Sequence, residues 1–170
     1  MTTATRDMIN SITEDIRQVL GIQGPIQNMD DVVYKLGGTI QDDFLCSDGT
    51  VSKEGRTFKI QVSPFQSQKR RRFTIAHELG HLFLHMGYLI DEELWDEQED
   101  NIYHRSGSSE QEYQANEFAA AFLMHQDEYL KVMDENTINN RVDTLKIADY
   151  FNVSIEAASN RGKFLGYLRW

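Results

Sequence analysis

Cys46 is the chain's single cysteine in 170 residues, so no internal disulfide can form and no cysteine-built zinc knuckle can be assembled. Any metal centre must use histidine and carboxylate. Long apolar runs are missing as well: nothing approaches the ~20 consecutive apolar residues of a membrane span. Met1 to Asn10 has neither the apolar core nor the cleavage-like end of a signal peptide. A cytoplasmic protein with no membrane partner is expected. Basic residues are the minority, 17 against 27 acidic, and the formal charge of −10 would repel a phosphate backbone. Nucleic acid is therefore an unexpected ligand. The run Lys69-Arg70-Arg71-Arg72 goes against this trend and reads as a solvated face at a helix start.

What is present suits one folded unit. The hydrophobic share is 40% and the charged share 26%, and a chain of this length buries roughly 70% of its unfolded surface. No metal is needed merely to hold it together.

Apolar spacing predicts a helix over 5–20, stopped by Gly21 and Gly24-Pro25, and a short helix from the cap Asn28 to the Gly37-Gly38 break. Three β-type segments follow, around 39–45, 49–53 and 57–62, read as an antiparallel meander that Pro64 ends. The segment 68–86 predicts a mostly buried helix and 109–124 a second one, with an acidic loop or lid between them that holds a short helical piece. Two more helical patterns, 142–151 and 154–165, close the chain. The expected fold class is α+β, mostly helical, with a small antiparallel sheet. The expected division is a core over 1–125 and a C-terminal helical region over 126–170 packed on it.

Phe73-Thr74-Ile75-Ala76-His77-Glu78-Leu79-Gly80-His81 contains His-Glu-x-x-His on the predicted buried helix. Residues four apart share a helix face, so both imidazoles can reach one ion at about 2.0–2.1 Å. Glu78 leans over the edge of that face, too far round to ligate but placed to touch a metal-bound water. Catalytic zinc takes three protein ligands and keeps a fourth position for water. Glu112 on the next helix is the candidate third donor, and Asn116, one turn later, could bond the outer nitrogen of a liganding histidine. Glu110 and Glu117 are nearby alternatives, read as solvated helix charges. His85 lies two turns, about 12 Å, from His77, too far to share its ion; it reads as packing or pocket wall. His104 and His125 are weaker ligand candidates, read as loop or surface residues.

Arg72-Phe73-Thr74-Ile75-Ala76-His77-Glu78-Leu79-Gly80-His81, followed by Glu112-x-x-Ala115-Asn116-x-Phe118-Ala119-Ala120, resembles the ImmA/IrrE family of metallo-endopeptidases. Ala148-x-x-Phe151-Asn152-Val153-Ser154-x-x-Ala157 is similar to that family's tail. The position ten after His77 is Gly87 rather than the histidine of a metzincin. Where family members commonly have Met-Pro after the ligand helix, this chain has Met124-His125.

The resemblance implies a gluzincin-like core with Zn2+ held by His77, His81 and Glu112. It also implies cleavage of a helix-turn-helix repressor of the Cro/CI type, encoded in a mobile element or stress regulon. Zinc acidifies water, and Glu78 as general base would take the proton and pass it to the leaving amine. A donor to the developing oxyanion is also expected, with Tyr88, Tyr103, His104 and Tyr113 as candidates. Two other readings stand beside this one: a non-proteolytic binding partner or toxin-antitoxin component on the same fold, and a DNA-binding regulator. Glu78 has no use in a pure binder. The helix-turn-helix-like pair near Phe151 lacks basic residues at Ser154-Ile155-Glu156-Ala157.

Overall fold

The computed structural model describes residues 1–100 and 109–169. Thr2 caps the first helix, α1 (Thr3–Val19), by accepting from the Thr5 amide, and Asn28 caps α2 (Met29–Lys35) in the same manner through the Asp30 amide. Three strands follow, β1 (Thr39–Asp42), β2 (Gly49–Glu54) and β3 (Thr57–Val62). Ser67 then caps α3 (Gln68–Leu84). After a short α4 (Glu92–Glu97) comes α5 (Ser109–Leu123).

The three-stranded sheet corrects the expected meander. β2 and β3 form an antiparallel hairpin with Glu54 opposite Thr57, but β1 pairs in parallel with β3, giving the order β1-β3-β2. β3 takes the centre because Phe58, Ile60 and Val62 alternate onto the core with no exposure at all, whereas β1 has only the partly buried Ile40 to contribute. The connection 43–48 arches past the end of β3, tied by the Asp43 amide to the Val62 carbonyl at 2.9 Å and by the Ser63 amide to the Asp48 carbonyl at 3.0 Å. Such an order is set by distant packing and leaves no mark on the local pattern.

α3 packs on β2 and β3 with one side and on α5 with the other, and α5 in turn carries α1 and α8 (Ile155–Phe164). Ile75, Leu79 and Leu82 of α3 and Phe118 and Phe122 of α5 are at most 1% exposed; each contributes about 1.5–3 kcal/mol of burial. Phe83 stacks on Phe118 at 5.8 Å between ring centroids, locking the two helices side by side.

Between α5 and the tail lies a helix absent from the sequence expectation, α6 (Gln126–Glu135), followed by a two-stranded hairpin, β4 (Thr137–Ile138) and β5 (Arg141–Val142). Asn139 and Asn140 both take positive φ, 50° and 59°, the demand of a tight two-residue hairpin turn. α7 (Thr144–Phe151) ends at Asn152 in the left-handed region, and Ser154 caps α8 through the Ala157 amide.

Arg72 corrects the solvated reading of the basic run. It is 5% exposed, and its guanidinium donates to the carbonyls of Ile26, Gln27, Phe151 and Asn152, pinning the α7–α8 turn to the body. Glu117 corrects in the same direction: far from being solvated, it is 4% exposed and paired with the buried Arg161. Among the described residues no helix is long and apolar enough to cross a membrane.

Candidate metal centre

α3 and α5 come into close contact where Gly80 faces Ala115, leaving no room there for a Cβ. That closeness lets His77 and His81, one turn apart on α3, meet Glu112 from the first turn of α5. His77 Nε2 lies 3.3 Å from Glu112 Oε2, His81 Nε2 lies 3.3 Å from Glu112 Oε1, and the two Nε2 atoms are 3.0 Å apart. These are the spacings of donors around one ion: a tetrahedron of radius 2.0–2.1 Å has edges of roughly 3.3–3.4 Å. Among the described residues this is the only group of three or more such side chains gathered closely enough to hold a metal. Two imidazoles and one carboxylate are a zinc-type donor set, and they leave a fourth position open.

Both rings turn the same atom inward, so each has Nδ1 free to face a supporting group. His77 Nδ1 meets Asn116 Oδ1 at 3.1 Å, which makes Nδ1 the protonated nitrogen and leaves the Nε2 lone pair toward Glu112. Burial lowers the His77 pKa, with Glu112 and the Asn116 bond opposing, and so favours the neutral imidazole a metal requires. His81 Nδ1 meets His85 Nδ1 at 3.0 Å. His85 therefore shares no ion with His77, as expected from its axial distance, yet touches the neighbouring ring. The signal was its own spacing, four residues after His81.

Glu78 is 5% exposed and lines the same cleft, a space of about 280 Å³ walled by α3, by Glu112 and by the stretch Cys46 to Gly49. Burial, then the carboxylates of Glu112 and Asp48, push its carboxyl up to about 8. Gly49 is what gives it room: a Cβ there would stand 3.0 Å from Glu78 Oε1. Asp48 and Gly49 had no sequence signal, because they reach the cleft only through the sheet.

The other candidates scatter. Tyr88 is removed as an oxyanion donor: its hydroxyl donates to the Leu36 carbonyl at 2.7 Å inside an aromatic cluster with Phe58 and Trp95. Tyr113 is exposed on α5 beside a second cavity, and Tyr103 and His104 lie outside the described residues. Glu110 is exposed at the start of α5, and His125 stands at the head of α6.

A mostly helical α+β chain with a His-His-carboxylate group across two packed helices falls in the class of metallopeptidase-like proteins. The family model described as the IrrE N-terminal-like domain, Peptidase_M78, matches residues 41–163, and the chain belongs to that family. No curated protein matches it in sequence. Among solved structures it is similar to a Mycobacterium tuberculosis transcriptional regulator, with a TM-score of 0.61 at 19% identity. The match takes in 93% of this chain but 50% of that one, so the chain spans half the length of that relative. The likeness is one of fold.

Proposed function

We propose that this chain is a cytoplasmic zinc endopeptidase with a gluzincin-like core and a helix-turn-helix-like tail, acting on a regulatory protein, namely a helix-turn-helix repressor. The observation that carries the reading is the convergence of His77, His81 and Glu112 donor atoms at 3.0–3.3 Å beside the buried carboxyl of Glu78. His77, His81 and Glu112 would hold Zn2+, which when bound supplies a Lewis acid for the scissile carbonyl and acidifies water. Glu78 then works as the proton carrier. Its carboxyl is buried in the wall of the same cleft as the three donors, within reach of a water held there, the position for accepting a proton from water and returning it to the departing amine. Asn116 orients His77, and Gly49 keeps the Glu78 carboxyl facing the cleft.

A protein substrate is supported by the space available. The cleft adjoins a second cavity of about 710 Å³, with Phe73 in the wall of both, giving room for several residues of an extended peptide. A role in regulation is supported by the structural relative, which is a transcriptional regulator.

The test is zinc content and cleavage measured together. Wild-type chain incubated with zinc should hold one ion and cut a helix-turn-helix repressor of the Cro/CI type. His77→Ala should lose the ion, and Glu78→Gln should keep it while losing cleavage. Full cleavage by Glu78→Gln would remove the assigned base. A wild type that holds zinc and binds the repressor without cutting it would favour a non-proteolytic partner.

A further inference from the structure

We propose that His85 and Gln114 form a proton-ordered relay that fixes the tautomer of His81, so that a histidine two turns from His77 governs metal affinity without ligating. The inference rests on the metal-site reading above. It starts from three distances: His77 Nε2 to His81 Nε2, His81 Nδ1 to His85 Nδ1, and His85 Nε2 to Gln114 Oε1, each 3.0 Å.

Donor counting orders the chain of bonds. A neutral imidazole carries one N–H and one lone pair. His81 must present its lone pair at Nε2, the atom beside Glu112 and His77, so its N–H is on Nδ1. That N–H points at His85 Nδ1, which must then be the acceptor. The single N–H of His85 is thereby placed on Nε2, where it donates to the Gln114 side-chain oxygen. With both rings neutral each assignment follows from the one before, and the sequence ends on an oxygen that has no proton to give.

The anchor lies on the same helix as the third ligand. α5 supplies Glu112 to the ion, Asn116 directly to His77, and Gln114 to His81 through His85. One helix thus sets both the carboxylate and the orientation of both imidazoles. A group holding a liganding histidine's outer nitrogen is typically worth 10–100-fold in metal affinity, and that is the scale expected here.

Zinc alone is the probe, measured by competition with a chelating dye on the full chain. His85→Phe, which removes the acceptor while keeping a ring, should weaken zinc 10–100-fold. His85→Asn, whose amide oxygen can stand in for Nδ1, should recover most of it. Gln114→Leu should give an intermediate loss, and long-range proton–nitrogen NMR of zinc-loaded wild type should show His85 with its proton on Nε2. Zinc affinity of His85→Phe within about twofold of wild type, or an Nδ1-protonated His85, would overturn the relay. If His85→Phe fails to fold by circular dichroism, Gln114→Leu and the NMR tautomer decide. Wild type that takes up no zinc would sink the metal-site reading and the relay with it, whereas wild-type binding with unchanged variants sinks the relay alone.

Discussion

Gly80 of α3 lies so close to Ala115 of α5 that a methyl group on it would stand 2.9 Å from the Ala115 Cα and 3.1 Å from its carbonyl oxygen. Backbone atoms cannot swing aside, so Gly80→Ala must part the helices. His81 is the next residue on one side and Glu112 lies one turn before Ala115 on the other. The expected result is a loss of about 1–3 kcal/mol from overpacking, read by urea denaturation, together with weaker zinc binding in titration. Undiminished zinc affinity would show that the helix spacing does not set the donor geometry.

Gly49→Ala strikes a different part of the site. Its new Cβ would stand 2.5 Å from Thr74 Cγ2 and 3.0 Å from Glu78 Oε1, both side-chain atoms, so the fold can adjust while the Glu78 carboxyl is displaced. A misplacement of about 1 Å can lower a rate on the order of 100-fold. We expect kcat to fall at least tenfold with zinc content unchanged. Loss of zinc at unchanged kcat per bound ion would contradict this.

Acidity acts on the metal-free chain through Glu78. Its folded pKa of about 8 stands above the ordinary 4.5, so the folded state keeps a proton that the unfolded chain has released. The stability this contributes is complete below the unfolded value and is lost as pH rises through about 8. His77, lowered by burial, has the opposite slope, but its share is complete once pH passes the ordinary 6.5. Between pH 6.5 and 8 the metal-free wild type should lose about 1.4 kcal/mol per pH unit more than Glu78→Gln does. Denaturant unfolding in excess chelator measures it, and equal slopes would place the Glu78 carboxyl elsewhere.

Arg161 is 1% exposed and donates to Glu117 at 2.9 Å, to Asn10 at 2.7 Å and to the Met124 carbonyl at 3.2 Å, joining α8, α5 and α1. Removing Glu117 leaves the buried guanidinium with neutral partners only, and removing Arg161 leaves the buried carboxylate with Arg6 at 3.4 Å and Asn10 at 3.3 Å. Glu117→Leu or Arg161→Met should each lower stability by about 3–5 kcal/mol, while the double replacement should recover much of that. Calorimetry of the three variants checks the coupling; additive losses would mean the pair acts independently.

How much of this was legible beforehand follows the range of each contact. The His77–His81 and Glu112–Asn116 spacings put donors on one face of each helix, because helical periodicity is local. That the two faces meet depends on Gly80 and Ala115, which sequence shows only as two small residues. The parallel pairing of β1 with β3, the burial of Arg72 on the carbonyls of the α7–α8 turn, and the Glu117–Arg161 bond all join positions far apart in the chain. Charge alone suggested solvent for Arg72 and Glu117, since buried charges are rare and their partners were out of sight. α6 went unread because its buried face rests on Tyr129 and Val132 alone, too thin a stripe for a period.

A protein with one sulfhydryl offers one address for a reporter, and here that address is the wall of the cleft. Cys46 is 5% exposed and sits within the arch past β3, three residues before Gly49. Alkylation must wait until the arch opens, so the labelling rate of an unmodified chain is a clock for that opening. A fluorophore fixed there would report on that opening without any residue having been engineered.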